Sequence, residues 1–144
     1  MSNTAPGRIL WRDEFSVGIA DIDDQHQRLL GLLNKLNSLN HQQTSPRIYD
    51  LLTLLESLNE YAATHFLSEE TLMREHLAND ESTVNHIVAH RSYWVIISTL
   101  KKRFQAGDAK VNGELVEYLN RWWINHILQT DQHMGRELNR RGIH

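Results

Sequence analysis

Residues 48–73, IYDLLTLLESLNEYAATHFLSEETLM, place Ile48, Leu51, Leu52, Leu55, Leu58, Ala62, His65, Glu69 and Met73 three or four residues apart. That spacing puts all nine on one face of a long helix. No proline or glycine interrupts the run, and Pro46 suits its first turn. The stripe is apolar until His65 and Glu69, two groups that packing alone does not call for.

The same period recurs on either side. His26, Leu29, Leu30, Leu33 and Leu36 form one face of a first helix that runs from Asp23 to about Asn40, with Asp23 or Asp24 as its cap. His41 to Pro46 read as a loop. The polar stretch Asn79 to Ser82 precedes a third helix that turns His86, His90, Tyr93, Trp94, Ile97, Leu100 and Phe104 inward, and Gly107 is its stop. A fourth segment from about Val111 carries Leu115, Tyr118, Leu119, Trp122, His126 and Ile127, then ends in a basic tail, Arg136 to Arg141. Four amphipathic helices joined by short loops predict an all-α fold, an antiparallel up-down four-helix bundle. Residues 1–22 bear Trp11, Phe15, Val17 and Ile19 without helical period and are expected as an extended N-terminal arm. The expected organisation is one domain over residues 1–144, with the arm at 1–22 and the bundle at 23–144.

Composition narrows the function. The 144 residues are 40% hydrophobic and 23% charged, which is ordinary for a globular chain, and the net charge of -3 leaves no basic footprint for nucleic acid. The longest purely apolar run, Trp94 to Ile97, is too short to cross a membrane, and Met1 to Gly7 lacks the order of a signal peptide, so a cytoplasmic location is expected. There is no cysteine, which removes disulfides, thiolate metal sites, iron-sulfur clusters and cysteine nucleophiles. Histidine is abundant, with nine residues.

Those histidines explain the interruptions in the stripes. His26 lies on the first helix, His65 and Glu69 on the second, His86 and His90 on the third, and His126 on the fourth. His65 with Glu69, and His86 with His90, are each one turn apart and can converge on a common point. A core with this many polar groups loses about 1 to 3 kcal/mol for each one left unsatisfied, and a bound metal offsets that cost. Imidazole suits zinc, copper, nickel and iron alike. Counting Asp131, seven ligands are too many for one ion and too few to saturate two octahedral ions. Two ions sharing bridges fit best.

Trp11, Phe15, Gly18, Ile22-Asp23 and Gln25-His26, then His65-Phe66-x-x-Glu69-Glu70, His86-x-x-x-His90 and Trp122-x-x-x-His126-Ile127-x-x-x-Asp131 together resemble the hemerythrin family pattern over nearly the whole chain. The resemblance implies a non-haem diiron site. Its two iron ions, cycling between Fe2+ and Fe3+, would be bound by His86, His90 and His126 on one side and by His26 and His65 on the other. Glu69, Asp131 and an oxo or hydroxo group would bridge them. It also implies reversible binding of molecular oxygen at the two-histidine iron. Leu29, Leu30, Phe66, Trp94 and Ile127 are candidates for the apolar lining of the oxygen pocket, and no residue is assigned a catalytic role.

Two features depart from expectation. Asp131 follows His126 by five residues, about 140° around a regular helix, so either the helix distorts or the carboxylate reaches sideways, with Glu70 as the fallback. Met134 and Leu77-Ala78 stand where the family often has Tyr and Tyr-Pro. Of the remaining histidines, His41, His76, His133 and His144 are expected to face solvent, although His76 falls near the helical face of His65 and could sit above the site. Storage, delivery or transport of oxygen is the favoured function. The alternatives are an oxygen or redox sensor acting through a partner protein, and a diiron enzyme such as a peroxidase or a nitric-oxide-reducing protein.

Overall fold

The computed structural model describes residues 8–40, 48–108 and 110–144. The readings of Met1 to Gly7 and of His41 to Pro46 lie outside the described residues, as does the side chain of Ile48. Five α-helices follow in order: α1 Ala20–Asn40, α2 Ile48–His76, α3 Glu81–Gln105, α4 Val111–Asn125 and α5 Gln132–Arg140. A π-helical turn, His126–Asp131, joins α4 to α5 without a break, so the three form one rod. There is no strand among the described residues.

The first helix packs against α2 and α4, and α3 packs against α4 and α2. Each rod therefore has two neighbours, the arrangement of an up-down four-helix bundle. The stripes read from the sequence meet at its centre, where Leu29, Leu33, Leu36, Leu55, Leu58, Tyr93, Leu119 and Trp123 are fully buried. Each such side chain contributes about 1.5 to 3 kcal/mol on leaving water. Asn37 and Asn120 exchange side-chain hydrogen bonds of 3.1 and 2.7 Å between α1 and α4, which fixes the two helices in register. Asp80 caps α3, accepting from Ser82 N at 2.9 Å, and Gly107 ends it with φ +84°, as its expected stop requires.

The arm differs from expectation in two ways. The first helix begins at Ala20, because the Ile19 carbonyl already accepts from Asp23 N–H at 2.9 Å; the boundary at Asp23 is three residues late. Asp23 is therefore no cap. Its carboxylate instead accepts from Ser16 Oγ and Val17 N and holds the arm against the helix. The arm also contains a 3-10 turn, Asp13–Phe15, which buries Phe15. Nor are residues 136–140 a tail: they are helical, and Met134 and Leu138 are buried with Val17, Ile19, Ile22, Met73 and Leu77 in a second apolar cluster under the arm. Arg140 and Arg141 pair with Glu137, and Arg141 also donates to its carbonyl near the helix end. No helix among the described residues is long and apolar enough to cross a membrane.

Candidate metal centre

All seven expected ligands meet inside the bundle, each at most 5% exposed. They form two overlapping groups: Glu69, His86, His90, His126 and Asp131 in one, and His26, His65, Glu69 and Asp131 in the other. Within each group the donor atoms lie within 4.8 Å of one another. The two carboxylates belong to both.

Each imidazole presents Nε2 inward. His26 and His65 approach at 3.1 Å, and His126 lies 3.1 Å from both His86 and His90. Asp131 Oδ2 is 3.0 Å from His26, while Oδ1 is 3.0 Å from His86 and from His126. Glu69 Oε1 is 2.9 Å from His65 and 3.6 Å from His90, and Oε2 is 3.8 Å from His86. The π-helical turn explains how Asp131 gets there. Widening the helix between His126 and Asp131 brings residues five apart toward one face, which a regular α-helix does not do.

The outer nitrogens are held differently on the two sides. His65 Nδ1 faces Gln25 Oε1 at 2.7 Å, and Gln25 in turn donates to Ser68. His90 Nδ1 faces Glu70 Oε2 at 3.1 Å, and Glu70 also pairs with Arg74. Such outer acceptors put the proton on Nδ1 and leave the inner Nε2 lone pair free for a metal. Glu70 is thus in neither group of converging donor atoms and lies behind His90.

A metal pair fits these residues on a physical test. Both oxygens of Glu69 and both of Asp131 are buried without a satisfying hydrogen bond among the described residues, although imidazole nitrogens lie 2.9 Å from Glu69 Oε1 and 3.0 Å from each Asp131 oxygen. Donor atoms of both kinds thus converge on one space, within 4.8 Å of one another in each group. Burial and the charge of Asp131 push the Glu69 carboxyl up, yet His65 and His90 outweigh both and hold it at about 2. Burial likewise pushes Asp131 up, and His126, His26 and His86 bring it well below the ordinary range. Burial lowers His26 and His86, but Asp131 and Glu69 leave both net raised. Carboxylate oxygens and imidazole nitrogens in one dry core are a donor set for divalent or trivalent cations.

Aromatic rings wall the site. Phe66 stacks on His90 at 3.9 Å and 16°, and Trp122 stacks on His126 at 4.3 Å and 12°. Leu29, Leu30, Phe66 and Ile127 are buried in the same apolar cluster, whereas Trp94 is half-buried at its edge. His76 does not reach the site: it is 38% exposed at the end of α2, with Nε2 3.7 Å from Glu75, because the last turn projects past the ligand layer. His133 and His144 are exposed as expected. Met134 and Leu77 are buried and line a 210 Å3 pocket that reaches His86. Trp123 is the core residue the helical reading passed over in favour of Trp122. Its four-residue spacing from Leu119 and Ile127 was the available signal. Gln25 and Glu70 each adjoin a ligand in sequence, but nothing in the spacing says which nitrogen they face.

Comparison with known proteins agrees with this geometry. The family described as the hemerythrin HHE cation binding domain matches residues 17–138. The chain is 33% identical over 123 residues to bacteriohemerythrin of Pseudomonas aeruginosa, covering 85% of this chain and 76% of the relative. It is 31% identical over 122 residues to bacteriohemerythrin of Methylococcus capsulatus, covering 85% and 89%. A crystal structure of wild-type hemerythrin superposes with a TM-score of 0.78 at 29% identity, covering 90% of this chain and 97% of that one. With its fold, its buried cluster and these relatives in agreement, the chain belongs to the hemerythrin HHE cation-binding family.

Proposed function

We propose that this chain holds two iron ions and binds oxygen reversibly for storage, delivery or transport. His86, His90 and His126 serve one ion, His26 and His65 the other, and Glu69 and Asp131 span the two. The observation that carries this reading is Asp131, whose Oδ2 faces His26 while its Oδ1 faces His86 and His126, all at 3.0 Å. A carboxylate placed so serves two cations better than one.

The bound iron pair supplies the two electrons that reversible oxygen binding requires. The chain supplies the rest. The histidine pair His26 and His65 leaves its side of the site with fewer protein donors than the triad, so that side is where a small molecule fits. Leu29, Leu30, Phe66 and Ile127, with Trp94 at the rim, exclude water that would favour loss of electrons from the site. Gln25 and Glu70 hold His65 and His90 in the tautomer that binds metal.

The experiment is metal analysis with optical spectra of the anaerobically reduced protein before oxygen, after oxygen, and after oxygen is withdrawn. Two irons per chain and a colour that appears and then fades support the proposal. One iron, zinc, or a spectral change that never reverses overturns it in favour of an enzyme or a sensor. Metal loading also raises the melting temperature, because ligand binding to the folded chain alone stabilises it.

A further inference from the structure

The arm bonds to the chain beside two of the site's residues, one near each end of the protein. Asp23, three residues before His26, accepts from Ser16 Oγ at 2.6 Å and from Val17 N at 2.8 Å. Gln132, which follows Asp131 directly, donates from Nε2 to the carbonyls of Ser16 at 2.7 Å and of Glu14 at 3.0 Å. Ser16 therefore holds both, by its hydroxyl on one side and its carbonyl on the other. Between them the 3-10 turn packs on the π-helical turn, and Phe15 is buried in the same apolar cluster as Ile127.

Support matters at this turn. A π-helical turn is rare, and the ordinary α-helical alternative would leave Asp131 about 140° around the axis from His126. With the turn in place, Asp131 Oδ2 lies 3.0 Å from His26 Nε2. Two anchors then act on one element: a cation at Asp131, and the arm at Gln132, whose own backbone N–H closes the turn on the Gln129 carbonyl.

We propose that residues 14–17 of the arm clip the cation site together, with Gln132 as the residue that positions Asp131, so that cation binding and arm docking reinforce each other. This rests on the reading of Asp131 as a ligand above. Two events that stabilise one conformation of a shared element are coupled, and the coupling is reciprocal: what the arm adds to cation affinity, the cation adds to arm docking. The arm is suited to report it. Its one 3-10 turn is its only helical structure, and Arg8, Leu10 and Arg12 are exposed, so it opens more easily than the four rods.

The test compares hydrogen exchange of residues 8–19, read by mass spectrometry, in the metal-free protein and after anaerobic loading with excess ferrous iron. Loading slows exchange of the arm by about fivefold or more and leaves residues 101–108, at the far end of α3, unchanged. In Gln132→Met, which keeps the side-chain length but cannot donate, the arm exchanges faster and iron no longer slows it. The same variant binds ferrous iron about fivefold or more weakly in competition with a chelator. Gln132→Lys restores an N–H donor and recovers both properties. An arm that only covers apolar surface exchanges at one rate with and without iron. That result, in protein that binds iron, overturns the clip and leaves the ligand reading standing, and so does undiminished iron protection of the arm in Gln132→Met. Failure of the unsubstituted protein to bind iron, or full binding by Asp131→Ala, overturns the ligand reading and the clip with it. The comparison of loaded and metal-free protein needs no variant, so a substitution that fails to fold leaves the proposal open to refutation.

Discussion

Asp131 and His26 meet at 3.0 Å in the centre of the bundle, Oδ2 to Nε2, with both side chains fully buried. One residue comes from the first helix and the other from the end of the π-helical turn, so their contact ties opposite ends of the chain to one site. Asp131→Ala removes the carboxylate facing both histidine groups. The expected result is a fall from two metal ions per chain to one or none, read by elemental analysis after loading with excess ferrous iron. A variant that still binds two would show that Glu69 alone is a sufficient bridge.

Glu70 acts one layer out. It accepts from His90 Nδ1 at 3.1 Å and is only 18% exposed. Replacing it by Gln keeps a hydrogen bond but removes the charge behind the ligand, and Glu70→Ala removes both. Loss of an outer partner of this kind costs about 10- to 100-fold in metal affinity, so Glu70→Ala loses affinity in that range and Glu70→Gln loses less. Competition with a chelator of known strength measures both, and equal affinity for all three proteins counts against the role.

Asp80 gives the bundle an acid-sensitive cap. Hydrogen bonds from the Ser82 hydroxyl and backbone N–H hold its carboxyl below its ordinary value. A carboxyl depressed in the folded state stabilises fully above its unfolded value of about 3.9, and this contribution is lost as pH falls through the folded value. Asp80→Ala therefore costs about 1 kcal/mol near neutral pH. The gap between the two proteins in urea unfolding should close as the solution is acidified below pH ~4, where the unfolded carboxyl begins to protonate. A gap that stays constant into acid would mean the cap is not the source.

Gly135 marks where the arm crosses α5. A Cβ there would sit 2.0 Å from the Val17 carbonyl oxygen, a backbone atom that moves only with the whole arm. Gly135→Ala forces that movement and lowers stability by about 1 to 3 kcal/mol, the usual range for overpacking. Thermal melting of the metal-free protein reads it directly. An unchanged melting temperature would show that the arm is loosely held despite the Gln132 and Asn139 bonds to its carbonyls.

The Asn37 and Asn120 amides supply register, and their loss is asymmetric. Asn37→Ala strands the partner amide in a largely apolar seam and costs about 1 to 3 kcal/mol. Replacing both by Leu recovers part of that loss, because neither amide of the pair is then left facing an apolar side chain. Denaturant unfolding of the two single variants and the double variant tests the coupling. Additive effects would show that the pair does not act as a unit.

The helices and the ligand types were legible along the chain because their causes are local. A stripe of period 3.6 needs only neighbours within one turn, so the inward faces of His26, His65, Glu69, His86, His90 and His126 follow from spacing. Starts and ends were less legible. Ile19, Ile22 and the Asp23 carboxylate are committed to the arm and to α5, so the first helix begins earlier than its own pattern suggests.

Spacing therefore determined an all-α bundle and the residues that interrupt its core. It did not determine that Asp131 joins them, since a regular helix points that carboxylate away and only the π-helical turn brings it back. Nor did it determine that Trp122 rather than Trp123 reaches a groove, or that His65 is backed by a neutral amide and His90 by a carboxylate. Those outcomes depend on which neighbouring helix supplies the partner atom, and such contacts form only when the rods pack.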